Sequence, residues 1–125
     1  MKKIISTENA PKAVGAYSQG ITLGGLVFTS GQIPIDPKTG DIVTGDIAAQ
    51  AKQSMDNVKA IIEAGGLAMS DVIKVTILLA DIADFGVVNE VYQSYFSGDY
   101  PARSCFAVKA LPKAVGIEIE AIAGK

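Results

Sequence analysis

The hydrophobic period of the chain changes repeatedly, and each change marks an element. Residues 1–6 predict a short strand, followed by a loop from Asn9 to Ala16 broken by Pro11 and Gly15. Ile21-Thr22-Leu23 and Leu26 to Ser30 flank Gly24-Gly25. Two glycines between strand-like runs predict a hairpin with a type I′ turn. Pro34 to Gly45 reads as loop, with Asp36-Pro37 and Thr39-Gly40 as turn signals. The period then becomes helical: Ile47, Ala51, Met55, Val58, Ile61 and Ile62 recur on one face, after Asp46 as N-cap and up to Gly65-Gly66 as a left-handed stop.

Alternation returns from Asp71 to Ala80, with Ile73, Val75, Ile77 and Leu79 on one face. A second helix is expected from an N-cap at Asp84 to Gly98, with Phe85, Val88, Val91, Tyr92, Tyr95 and Phe96 as its apolar side. Ser104 to Ala110 and Gly116 to Ala123 read as strands. In the first, Arg103, Cys105, Ala107 and Lys109 share a face; in the second, Ile117, Ile119, Ala121 and Ala123 point inward. Each helix falls between strands. The order predicts an α+β domain over residues 1–125: a single mixed β-sheet with two helices packed on one face. The expected helix-free face carries Arg103, Cys105, Glu118 and Glu120 beside Ala107 and Ile122. That mixture suits neither open water nor a dry core, and an oligomer that closes it around polar pockets resolves the conflict.

Composition sharpens this picture. The 125 residues are 49% hydrophobic and only 19% charged, which also favours surface hidden in an oligomer. A net charge of −2 without a basic stripe argues against nucleic acid and membrane-surface partners. Lys2 and Lys3 precede only two apolar residues, so no secretion signal is expected, no run reaches a membrane span, and the expected location is cytoplasmic. Histidine is absent and cysteine occurs once, at Cys105. Ser-His-Asp and Cys-His pairs and the usual zinc sets are thereby excluded.

Arg103 and Glu118 are the leading candidates for chemistry. An arginine fork suits a carboxylate, and a glutamate can take a proton from water. The alternative is a cross-strand salt bridge between them. Cys105, near Arg103, is either a pocket wall or a buried structural thiol. Asn89 falls on the apolar side of its helix, where its amide either bonds a loop backbone or borders a site. Tyr17, in Gly15-Ala16-Tyr17-Ser18-Gln19-Gly20, either offers its hydroxyl to a ligand or packs over the sheet. Ser30-Gly31 ends a strand where glycine lets backbone approach a ligand.

Four segments in order, Gly15–Gly20, Ser30-Gly31-Gln32-Ile33-Pro34, Pro101-Ala102-Arg103-Ser104-Cys105 and Ile117-Glu118-Ile119-Glu120-Ala121, resemble the RidA (YjgF) family of reactive intermediate deaminases. The resemblance runs nearly end to end. It implies a chorismate-mutase-like fold, a homotrimer with sites between subunits, and hydrolysis of 2-iminobutyrate and 2-iminopropionate to 2-oxo acids and ammonia. It further implies that Arg103 binds the substrate carboxylate, that Glu118 activates water, and that Tyr17, Ser30, Gly31, Asn89 and Cys105 line the cleft. The 2-imino acid is then the partner, and no cofactor is needed. Ala16 stands where the family usually has proline, and the Ser97–Tyr100 loop is short relative to some members. A non-catalytic trimer that binds a small carboxylate is the alternative, and a chorismate-mutase-type activity is a third reading by fold analogy alone.

Overall fold

Two amphipathic helices cover one face of a six-stranded mixed sheet in the computed structural model, which describes all 125 residues. The elements are β1 (Lys3–Ile5), β2 (Gly20–Leu23), β3 (Leu26–Thr29), α1 (Ile47–Ala64), β4 (Val72–Leu79), α2 (Phe85–Gln93), β5 (Ala102–Ala107) and β6 (Ile117–Gly124). The sheet order is β1-β2-β3-β6-β4-β5. Only β4 and β5 pair in parallel, across the α2 crossover; the other neighbours are antiparallel. The predicted α+β architecture is the observed one. No helix is long and apolar enough to cross a membrane.

Local chemistry explains the boundaries. Gly24 and Gly25 take φ of 56° and 83°, as the type I′ turn between β2 and β3 requires. The Asp46 carboxylate accepts a 3.0 Å hydrogen bond from Ala49 N and caps α1. Along α1, Ala51, Met55, Val58, Ile61 and Ile62 are buried against Val75, Ile77, Ile117, Ile119 and Ala123 of the sheet. Ile61 and Ile62 are fully buried, each contributing about 1.5–3 kcal/mol. The same stripe holds two buried polar residues. Asn57 Nδ2 donates to the carbonyls of Ile33 (3.2 Å) and Ile35 (2.9 Å), tying the loop after β3 to the helix. Ser54 is also buried, and its hydroxyl has no partner.

Several expectations need correction. Ile73 does not share the core face of β4: a register shift between Val72 and Lys74 turns it outward, half exposed, and buries Val72 instead. Asp84 does not cap α2; Asp81 caps a short 3₁₀ turn (Ile82–Asp84) by accepting from Ala83 N, and α2 follows directly. The helix stops at Gln93 rather than running to Gly98, and the fifth strand is Ala102–Ala107 rather than Ser104–Ala110.

The largest correction concerns Arg103 and Glu118. Their strands are not neighbours, because β4 lies between β6 and β5. Arg103 is aligned with Val75, and Cys105 with Ile77, so both point to the helix-covered face. Glu118 and Glu120 are aligned with Leu78 and Thr76, on the helix-free face. That face carries Ser104 and Phe106 of β5, not Arg103 and Cys105.

Candidate active site

The residues singled out in the sequence fall into two clusters on opposite faces of the sheet. The first is at the β5 edge. Arg103, the chain's only arginine, rises from β5 against α2. Its Nη1 donates a 2.7 Å hydrogen bond to Asn89 Oδ1, so Asn89 bonds the cation and not a loop backbone. Phe85 and Tyr92 of α2 present their rings to the guanidinium. Arg103, Asn89, Tyr92, Gln93, Tyr100 and Pro101 line a cavity of about 250 Å³. Cys105 is outside that lining. Its free thiol packs against the core, and burial raises its pKa more than nearby Arg103 lowers it.

The second cluster is built around Glu118 and Gly31. Backbone hydrogen bonds in both directions between Gln32 and Ile119 (2.7 and 3.1 Å) pin the segment after β3 beside β6. The Glu118 side chain then lies directly over Gly31. A β-carbon at Gly31 would meet Oε2 and stand 2.8 Å from the carboxyl carbon, so glycine makes the room that the carboxylate occupies. Burial pushes the Glu118 carboxyl above the usual carboxylate range, and the charge of Glu120 adds to the shift. Glu118, Gly31 and Tyr17 share a cavity of about 600 Å³ with the 32–40 loop and the Pro112-Lys113 turn.

Tyr17 is half exposed, and its hydroxyl accepts a 3.4 Å hydrogen bond from Val14 N. It faces the Glu118 cavity, not the core. The Ser30 hydroxyl is already engaged, donating at 2.6 Å to the Ser18 carbonyl, and it joins the two loops behind the site.

Sequence reasoning missed the residues that hold these groups. Gln19 is buried, accepts from Thr7 N (2.7 Å) and donates to the carbonyls of Thr7, Ala10 and Pro11 (3.0, 3.2 and 2.8 Å). It staples the loop that carries Tyr17. The signal was a single amide in a polar loop, indistinguishable from a solvated one. Phe85 and Tyr92 were assigned only to the helix's apolar side. No group of three or more His, Cys, Asp or Glu side chains gathers as a metal site would need.

Comparison with known proteins agrees with the motifs. Residues 7–125 match the family model described as endoribonuclease L-PSP. The chain is 56% identical to the 2-iminobutanoate/2-iminopropanoate deaminase of Escherichia coli K12, over 98% of each chain. Among solved structures, E. coli TdcF with bound serine superposes with a TM-score of 0.95 at 52% identity, covering 98% of both chains. RidA from the Antarctic bacterium Psychrobacter sp. PAMC 21119 gives a TM-score of 0.94 at 45% identity, covering 98% of this chain and 99% of that one. With the family model spanning nearly the whole chain and this level of identity, the protein belongs to the RidA (YjgF) family.

Proposed function

We propose that this protein hydrolyses 2-imino acids, with 2-iminobutanoate and 2-iminopropanoate as substrates, to the 2-oxo acids and ammonia. The carrying observation is the placement of Arg103 and Glu118. Each lines its own cavity, on opposite faces, and neither is neutralised by the other. A small anionic substrate needs both an anchor and a base, so one chain supplies two half-sites. A homotrimer that brings the Arg103 half of one protomer against the Glu118 half of the next completes the site. The helix-free face supports this reading, since it exposes Ile4, Phe28 and Phe106, a surface that favours association.

The chemistry asks little of the protein. The Arg103 fork takes the substrate carboxylate and holds the electrophilic carbon in place. Glu118 accepts a proton as water adds to the C=N carbon, giving a carbinolamine. That proton is returned to nitrogen to complete the neutral carbinolamine; Glu118 then relays the hydroxyl proton to the amine, the C–N bond breaks, and ammonia leaves as the carbonyl forms. The raised Glu118 pKa makes it a better proton acceptor once ionised. Tyr17 and Gly31 border the water, and Asn89 borders the carboxylate.

The test generates the imine in situ with a threonine dehydratase. The wild-type protein accelerates 2-oxobutyrate release, and Arg103→Ala removes the acceleration. A wild-type protein that leaves the rate unchanged refutes the proposal. In that case, saturable binding of 2-oxobutyrate without turnover identifies the carboxylate-binding alternative.

A further inference from the structure

Arg103 is held by more than its own strand. Its guanidinium carbon is 5.2 Å from the centroid of the Phe85 ring and 4.8 Å from that of Tyr92. Both distances are within the roughly 6 Å over which a cation and a ring face attract. The two rings stem from positions seven residues apart on α2, a rise of about 10.5 Å. One guanidinium is thus within reach of both rings. Asn89 lies between them on the same helix face and accepts from Nη1 at 2.7 Å. None of the three carries a negative charge, and the chain's single ion pair, Lys52–Asp56, lies elsewhere. A carboxylate partner would have neutralised the fork. Two rings and an amide restrain it and leave its charge, and most of its five N–H donors, for a ligand.

Tyr92 shows which part of the side chain is used. Its hydroxyl is buried and has no hydrogen-bond partner, a disfavoured arrangement. Its ring centroid is 4.8 Å from the Arg103 guanidinium carbon and 5.0 Å from the Phe96 ring, and Phe96 in turn meets Tyr100 at the cavity rim.

We infer that Phe85 and Tyr92 are positioning residues: their rings clamp the Arg103 guanidinium, and Asn89 sets its rotation, so that the fork meets a carboxylate already oriented. The inference deepens the imine-hydrolysis reading and depends on it only for the kinetic arm of its test. Removing one ring weakens carboxylate capture about tenfold. Capture by the fork is shared by ground and transition states, so the loss falls on KM and leaves kcat within about twofold.

Because the chain has one arginine, ¹⁵N-arginine labelling gives a single Nε–Hε resonance. In the wild-type protein that resonance is displaced by ring currents from the free-arginine position. Tyr92→Leu and Phe85→Leu each move it back, while Tyr92→Phe keeps it displaced. In the dehydratase-coupled assay Tyr92→Leu raises KM about tenfold, and Tyr92→Phe, which keeps the ring, restores it to within about twofold. A ring of purely structural use would lower the melting temperature and leave KM alone. If Tyr92→Leu does not fold, Phe85→Leu carries both measurements, since Phe85 is only partly buried. A wild-type resonance at the free-arginine position overturns the clamp, as does an unchanged KM in the folded leucine variants. A displaced resonance that the leucine variants abolish, in a protein without imine turnover, leaves the clamp standing and removes the imine reading.

Discussion

Replacing Gly31 with alanine tests the Glu118 half-site with a single methyl group. The backbone at Gly31 is not left-handed, so alanine introduces no torsional strain there. What the new β-carbon meets is the Glu118 side chain, with the carboxyl carbon at 2.8 Å and Cγ at 3.1 Å. Ordinary contact begins near 3.4 Å, so the carboxyl carbon moves by at least half an ångström and Oε2, which is closer, by more. The obstructing atoms are the flexible end of a side chain. The stability cost is accordingly below about 1 kcal/mol, a melting shift within about 4 °C. Activity is less forgiving, because a misplacement of about 1 Å costs on the order of 100-fold. Gly31→Ala is therefore expected to lower kcat roughly 10- to 100-fold in the dehydratase-coupled assay, while KM, which the proposed mechanism assigns to Arg103, changes by less than about threefold. A folded Gly31→Ala protein with wild-type kcat refutes the placement of the base at Glu118.

Three further outcomes follow from the same geometry. In the proposed mechanism Glu118 acts ionised, and its pKa is raised, so activity is expected to fall on the acid side at a higher pH than for an unperturbed glutamate. Glu120→Gln removes one cause of that shift and moves the acid limb of the pH–kcat profile downward; an unmoved limb would assign it to another group. Gln19→Ala frees the Thr7–Pro11 segment from the loop below Tyr17 and costs about 2–3 kcal/mol in urea unfolding, and a loss under about 0.5 kcal/mol would show that the four hydrogen bonds are not formed in solution. Mixing and reassembling Arg103→Ala and Glu118→Gln proteins, each expected to be inactive, in equal amounts is expected to restore about one quarter of wild-type activity, since the proposed head-to-tail trimer pairs an intact Arg103 with an intact Glu118 at that fraction of its interfaces. No recovery in verified mixed trimers would place both residues in one protomer's site.

Periodicity revealed the two helices, the hairpin and the inward face of β6, because each shows its burial within a few residues of sequence. It did not reveal which face of β5 meets the helices. Arg103-Cys105-Ala107 and Ser104-Phe106 are both mixtures of polar and apolar residues, so either phase could face inward. Pairing with Val75 and Ile77 of β4, some thirty residues earlier, decides the matter. The insertion of β6 between β3 and β4 is similarly non-local, and it separates strands that adjacency in sequence had placed together. Ile73 misled for a different reason: a bulge breaks the period of two without any glycine or proline to announce it. Asn57 is one polar position in an apolar stripe with nothing local to set it apart, yet it fastens the loop that walls the Glu118 cavity. Arg103, Glu118, Gly31 and Tyr17 stand out in the sequence as candidates by residue type and motif. The separation of Arg103 from Glu118 on opposite faces does not, since it depends on the sheet order.

That division has a physical consequence. Had Arg103 and Glu118 stood side by side on neighbouring strands, each would have been the other's counter-ion. The cation would have held the carboxyl below its ordinary pKa, and the substrate carboxylate would have had to displace an existing partner. The observed arrangement does the opposite. Glu118 is partly buried and near a like charge, and its proton affinity rises. Arg103 is steadied by rings and an amide that satisfy geometry without cancelling charge. The sheet keeps the two groups apart within a chain, and a cross-strand salt bridge, which the sequence left open, is excluded. Both groups are left without an intrachain counter-ion, as the proposed hydrolysis requires of an anchor and a base.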